Sequence, residues 1–387
     1  MIKTFKKWMQ KDIAEYDYII VGAGITGATI ANILSTKGKK KVLVLEKRSH
    51  IAGNCYTESS NNIDVHIYGA HIFRTSKKLI WDYVNSFHPF HFFTHKVIVD
   101  FNGKKYSFPI NLMTLNQVTD GEIDTPLKAQ KYFEKVGNPS WIGSPSLETH
   151  CIGMIGPDLF DIFVRGYTEK QWGKKCSELP SSIIKRIPIR ATWNDNYFAD
   201  SKVYQGIPEA GGYTTLVENM LSDIDVLTEC DFLRDKQFWE SRAKHIIYTG
   251  PIDELLDNKY GPLPWRSLQF KTVYKPIEDF QGVPVMNYTS ADIPFTRIIE
   301  HKHFCPANKT PGTVITEEYP QDWKPGLEKY YPIQDNAALK LMEMYERDIL
   351  DMPQYSIAGR LGKYKYYDMD VAIENAMKLA FELIQTK

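Results

Sequence analysis

An α/β fold is predicted by three features: strand, glycine-rich turn, helix and second strand in sequence over residues 17–46, a late apolar strand at 245–250, and period-two alternation between 265 and 320. The first is the most specific. Asp17 to Val21 is a β-branched apolar run of the kind that forms a buried parallel strand. Gly22 permits a tight turn, Gly24 lets backbone approach a pyrophosphate, and Gly27 allows close packing of helix on strand. An anion is favoured at the helix N-terminus that follows. Glu46 ends VLVLE, placed to accept hydrogen bonds from a ribose diol and to repel a 2′-phosphate.

Beyond Glu46, IDVHIYGAHIFRT (63–75) alternates like a strand, and 78–88 has helical spacing. Residues 91–110 read as two strands around Asn102-Gly103, the sharpest hairpin signal in the chain. Helical periodicity then dominates 111–180. A proline-punctuated stretch with Lys185, Arg186 and Arg190 follows and suits a loop. HIIYTG (245–250) returns to the first sheet, and 265–320 alternates as an antiparallel sheet. A short strand and a glycine then lead into an amphipathic helix starting near Asp368, a natural N-cap. The predicted organisation is a Rossmann-like dinucleotide-binding domain from both chain ends (1–90, 205–255, 350–387). A helical domain (111–190) and an antiparallel sheet domain (91–110, 256–349) lie between.

Lysine plus arginine equals aspartate plus glutamate at 47 each, so no global field favours nucleic acid or an anionic membrane. Five scattered cysteines without CxxC argue against a disulfide framework and fit the reducing cytoplasm. No segment reaches the roughly 18 uninterrupted apolar residues of a spanning helix. The basic, mildly amphipathic N-terminus reads as a solvated leader helix rather than a signal peptide.

The blocks DYIIVGAG, EKRSHIAGN, YGAHIF, GYTEKQWG, IIKRIPIR, NDNYF, QGIP, GGYT, IIYTGPID, TRIIEHKHF, YYP and GRLGKYKYYDM occur in order from Asp17 onward. In them the chain resembles the UDP-galactopyranose mutases, flavoenzymes that interconvert pyranose and furanose forms of UDP-galactose. The resemblance implies FAD, with Gly53, Asn54, His71, Arg360, Tyr366 and Asp368 joining Gly22, Gly24, Gly27 and Glu46 around it. It implies a UDP-sugar substrate, with Arg186 on a mobile loop and Arg297 on a fixed strand holding the diphosphate. Tyr197, Tyr331 and Tyr366 bind the same diphosphate. Phe163 and Tyr167, four apart on one helical face, suit stacking on uracil, while Trp172 and Asn287 complete the substrate set. In such enzymes the reduced flavin attacks the anomeric carbon through N-5 and UDP leaves, then returns after the sugar recloses. The resemblance further implies a homodimer, an external reductant or reductase, a role in cell-surface polysaccharide synthesis, and closure of the Arg186 loop over substrate.

One block departs from the family pattern. GAHIFHT is usual, and here it reads GAHIFRT, so Arg74 replaces a histidine. Arginine only donates and is always charged. Its longer fork could reach a 2-acetamido carbonyl, which points to UDP-N-acetylgalactosamine as a further substrate. Alternatively it pairs with a phosphate or carboxylate and leaves specificity alone. The residues expected to act in catalysis are Arg186, Arg297, His71 and Arg74. Competing readings are an FAD-dependent amine-oxidase-like oxidoreductase, which leaves the arginine and tyrosine set unexplained, and a flavoprotein that only binds nucleotide sugar.

Overall fold

The computed structural model describes residues 2–4, 15–184, 188–198 and 203–385. Lys185, Arg186 and Ile187 lie outside the described residues. A six-stranded sheet runs in the order Ile2–Thr4, Asp225–Thr228, Val42–Leu45, Tyr16–Val21, Ala243–Tyr248, Tyr355–Ile357, and every neighbouring pair is parallel. Parallel strands covered on both faces need apolar side chains in both directions, which explains the unbroken VLVL and the YIIV run. One face packs on helices Ile25–Thr36, Gly212–Met220 and Met369–Gln385, the other on Trp239, Leu263 and Tyr345.

The leader helix needs correction where it is described. Ile2–Thr4 is an edge strand paired with Asp225–Thr228, because an open parallel edge offers unpaired amides that a short β-branched segment satisfies.

A seven-stranded sheet runs Tyr331–Pro332, Trp265–Lys275, Thr313–Asp322, Arg297–Glu300, Val285–Tyr288, Val97–Phe101, Lys104–Phe108. Asn102 (φ 53°) and Gly103 (φ 80°) make the hairpin turn. The sheet is not wholly antiparallel: Val285–Tyr288 pairs parallel with Val97–Phe101. Period-two alternation reveals a strand and its buried face, but not the direction of a partner almost 200 residues away in the chain.

The expected strand over 63–75 is broken. Ile63–His66 pairs with Thr57–Ser60, the chain turns through Gly69 (φ 97°), and Phe73–Thr75 joins Tyr204–Pro208 and Phe90–Phe92 in a separate antiparallel sheet. The helical part contains Leu112–Val118, Pro126–Val136, Leu147–Phe160, a π-helical turn Asp161–Arg165, and Gly166–Trp172. Gly156 (φ 78°) kinks the third of these just before Pro157, which has no N–H to donate. No helix among the described residues is long and apolar enough to cross a membrane.

Candidate active site

Four chain segments from distant parts of the sequence enclose one cleft. The first is the glycine turn and the start of helix Ile25–Thr36. Gly22 has φ 105°, and a Cβ there would meet Thr249 Oγ1 at 2.1 Å. Gly24 caps the helix with extended backbone and no side-chain bond, leaving first-turn N–H groups without a side-chain cap. A Cβ on Gly53 would come within 3.0 Å of Gly24 Cα, so two glycine backbones touch where a ligand can approach. This bare, glycine-lined helix start fits a dinucleotide pyrophosphate.

Glu46 is 6% exposed and has structural duties that spacing did not announce. Its carboxylate accepts from the N–H of Ala23 and of Arg48, both at 2.9 Å, tying the turn to the end of the second strand. Arg48 in turn donates to Asn54 Oδ1 at 3.0 Å and pairs with Glu328.

The second wall is the start of helix Met369–Gln385 with the short helix Gly359–Gly362. Arg360 lies 5.8 Å from the centre of the Tyr366 ring, and Tyr366 stacks on Tyr331 at 6.0 Å. Asp368 accepts from Arg74 Nη2 at 2.8 Å, and the Arg74 guanidinium lies over Phe198 at 4.2 Å. Arg74 therefore has a carboxylate partner, the less eventful of the two readings, while its side chain still lines the cleft.

The third wall comes from the seven-stranded sheet. Asn287 stands opposite Arg297, and Arg297 opposite Glu318, in one row across three strands. Such partners share a face. Arg297 Nε lies 3.4 Å from Glu318 Oε1, and Arg297 Nη2 donates to the Tyr167 hydroxyl. Glu318 is 2% exposed; burial pushes its carboxyl above the usual range, and the arginine opposes this. Burial also pushes the Tyr167 phenol up to about 12, so it is neutral. The amide oxygen of Asn287 is buried without a hydrogen-bond partner among the described residues. An unpaired buried oxygen next to the arginine is a free acceptor.

The fourth wall is the 67–72 turn with His71, joined by His95, Tyr197 and Phe198. Arg190, expected only as a loop cation, is buried and donates to the carbonyls of Asn196 and Phe198, pinning the segment that carries Tyr197.

The cleft thus gathers Gly24, Gly27, Asn54, His71, Arg74, Tyr197, Arg297, Tyr331, Arg360, Tyr366 and Asp368. Gly22, Glu46, Gly53, Tyr167, Trp172 and Asn287 stand behind it, with Trp172 6.3 Å from the Tyr331 ring. Phe163 is a correction. It is 3% exposed, near-parallel to Phe108 at 6.0 Å and near-perpendicular to Tyr106 at 5.7 Å, so its ring packs in the helical core rather than standing open to a base. The π-helical turn around it shifts register, so the i, i+4 spacing no longer puts it beside Tyr167 on one open face.

Several cleft residues had no sequence signal. Glu318 is an acid within an alternating strand, and only its buried side distinguishes it. His95 is 4% exposed with Nδ1 unpartnered, and burial, with Arg297 and Arg74 nearby, pulls its imidazole down to about 3. Lys170 donates to the carbonyls of Tyr288, Ser290, Ile293 and Phe295 at 2.8–3.0 Å. It fastens the helix bearing Tyr167 to the segment leading into Arg297, and burial lowers its ammonium to about 8.

Comparison with known proteins agrees with this geometry. The family model described as UDP-galactopyranose mutase matches residues 162–366, and a model of NAD(P)-binding Rossmann-like domains matches 20–87. A Klebsiella pneumoniae protein named "Probable UDP-galactopyranose mutase" is 37% identical over 95% of this chain and 94% of its own. An Escherichia coli dTDP-fucopyranose mutase is 34% identical over 94% of this chain and 97% of its own. Among solved structures, a reduced UDP-galactopyranose mutase superposes with TM-score 0.72 at 13% identity, covering 96% of each chain. A putrescine oxidase variant superposes at 0.59, with 13% identity, over 96% of this chain and 99% of that one.

Proposed function

The chain belongs to the UDP-galactopyranose mutase family and is a flavin-dependent isomerase with FAD as cofactor; from that premise we propose that it interconverts the pyranose and furanose forms of UDP-galactose and also accepts UDP-N-acetylgalactosamine. The observation that carries the reading is that Arg297 and Glu318, in register with Asn287, line the same cleft as the bare start of helix Ile25–Thr36. That arrangement suits a sugar diphosphate held against a dinucleotide cofactor.

Reduced flavin, when bound, supplies the electron-rich centre that replaces a side-chain nucleophile. The residues of the chain then do the rest. Arg297, and with it Arg186, holds the diphosphate, and their charge matters most as negative charge grows on the departing nucleotide. Glu318 stands behind Arg297 as its carboxylate partner. Tyr197, Tyr331 and Tyr366 donate hydroxyl hydrogen bonds to the same oxygens, and Tyr167 steers the guanidinium. Gly53, Asn54, His71, Arg360 and Asp368 hold the cofactor's flavin end, and Gly22, Gly24, Gly27 and Glu46 its nucleotide end. Trp172 covers the sugar side.

Arg74 supports the wider substrate range. Only one of its N–H groups is committed to Asp368 at 2.8 Å by a described bond, so the fork retains donors for a 2-acetamido oxygen. Replacing Arg74 with histidine should lower turnover of the acetylated sugar about tenfold relative to UDP-galactose. An unchanged ratio in a chromatographic assay would show that Arg74 serves only Asp368.

The deciding experiment is conversion of UDP-galactofuranose with and without dithionite. Conversion is expected only after reduction, and full turnover by the oxidised enzyme would overturn the reading. dTDP-fucofuranose belongs in the same assay, given the Escherichia coli relative. Release of hydrogen peroxide with an amine would favour an oxidase instead. A homodimer, a cellular reductase and a cytoplasmic setting, feeding cell-surface polysaccharide synthesis, complete the proposal.

A further inference from the structure

The turn from Tyr68 to Ile72 lines the cleft but belongs to no helix or sheet; one backbone bond, from the Ile67 N–H to the Tyr56 carbonyl at 3.2 Å, ties its entry, and among the described residues no ladder holds its far end. Two imidazoles do. The backbone N–H of His71 donates to Nδ1 of His66 at 3.1 Å, and the backbone N–H of His66 donates to Nδ1 of His301 at 3.2 Å. A backbone amide only donates, so each Nδ1 must be an unprotonated acceptor and each ring carries its proton on Nε2. His301 Nε2 then donates to Thr316 Oγ1 at 2.8 Å.

His66 and His301 are 2% and 1% exposed, and His66 stacks on Phe304 with centroids 4.8 Å apart. Protonating either Nδ1 would set N–H against N–H. Burial opposes that, pulling both rings well below the usual imidazole range, His301 to about 3.

At His71 the logic inverts. Its Nδ1 lies 2.7 Å from the Gly69 carbonyl, a pure acceptor, so Nδ1 carries the proton and Nε2 keeps a lone pair. The buried Tyr213 donates its hydroxyl to the His71 carbonyl at 3.1 Å. Backbone N–H, backbone C=O and ring are therefore all fixed. We propose that His301 and His66 are positioning residues, a relay of two neutral imidazoles that fixes the turn and makes His71 offer an acceptor nitrogen to a hydroxyl or N–H of the bound flavin or sugar. The last step rests on the mutase reading; the relay does not.

Histidine-selective ¹⁵N NMR of the holoenzyme tests the relay, with signals assigned through single His→Asn variants. His66 and His301 should be protonated at Nε2 and bare at Nδ1, and His71 the reverse. A proton on Nδ1 of His66 or His301 would overturn the relay. The second arm follows flavin release from the holoenzyme by fluorescence. His66→Asn keeps an acceptor near the Nδ1 position and should stay within about threefold of the parent. His66→Leu removes it and should release flavin about tenfold faster or more. Equal effects of Asn and Leu would overturn the relay; the expected tautomers with no change in release would overturn its link to the cofactor.

Discussion

Replacing Arg297 with methionine should lower kcat/KM on the order of 10²–10³-fold, the loss expected when a cation that meets developing negative charge is removed. The structure makes this more than loss of a binding charge. Arg297 pairs with Glu318 across the strands through an Nε–Oε1 contact of 3.4 Å and donates from Nη2 to Tyr167 on the helix, so the hydrogen bond to Tyr167 directs its fork before substrate arrives. Methionine leaves Glu318, 2% exposed, without its partner. Stranding one member of a buried pair costs about 3–5 kcal/mol while the charge persists.

Because burial already raises the Glu318 carboxyl, the stranded acid should take up a proton at lower pH and regain part of that loss. The fall in Tm should therefore be larger at pH 8 than at pH 5. Arg297→Lys should lie between parent and methionine variant, keeping charge without the fork. Steady-state kinetics under reducing conditions, normalised to bound flavin, read the first effect, and a thermal scan reads the second. Activity within threefold of the parent would remove Arg297 from the diphosphate site.

Gly27→Ala should give a chain that cannot retain flavin, with affinity lowered about 100-fold or more. A Cβ at this position would lie 2.0 Å from the carbonyl oxygen of Gly22. The obstacle is backbone, so no rotamer change relieves it, and helix must move off strand. That movement displaces the uncapped first turn from the position where it meets a pyrophosphate. Gly103→Ala provides the contrast. Unlike Gly27 it has positive φ (80°), yet nothing lies within 4 Å of its Cβ; it should cost on the order of 1 kcal/mol of stability and leave flavin binding alone. The visible flavin absorbance per protein, measured after gel filtration, distinguishes the two. A Gly27→Ala protein with a full complement of flavin would refute the packing argument.

The nucleotide half of the site was legible because its requirements are local. Tight turn, close approach and helix start all fall within residues 17–27, and backbone alone demands a glycine at Gly22, for its φ of 105°, and at Gly27, for the Gly22 carbonyl 2.0 Å from its Cβ position. The Asn102-Gly103 hairpin was legible in the same way. Phe163 shows the limit: helical spacing put it beside Tyr167, but a π-helical turn and the rings of Phe108 and Tyr106 turned it into core.

By itself the sequence determined the dinucleotide unit, the positions of most strands and helices, and the presence of arginines and tyrosines in recognisable blocks. Tertiary structure alone decided that Asn287, Arg297 and Glu318 form one row, that Arg74 meets Asp368 across 294 positions of chain, and that His66 and His301 brace the turn of His71. The reason is physical. Turns and helix starts depend on a few consecutive φ and ψ angles, whereas a buried ion pair or a ring accepting a distant amide depends on which strand folds beside which. No local pattern of side chains records that choice.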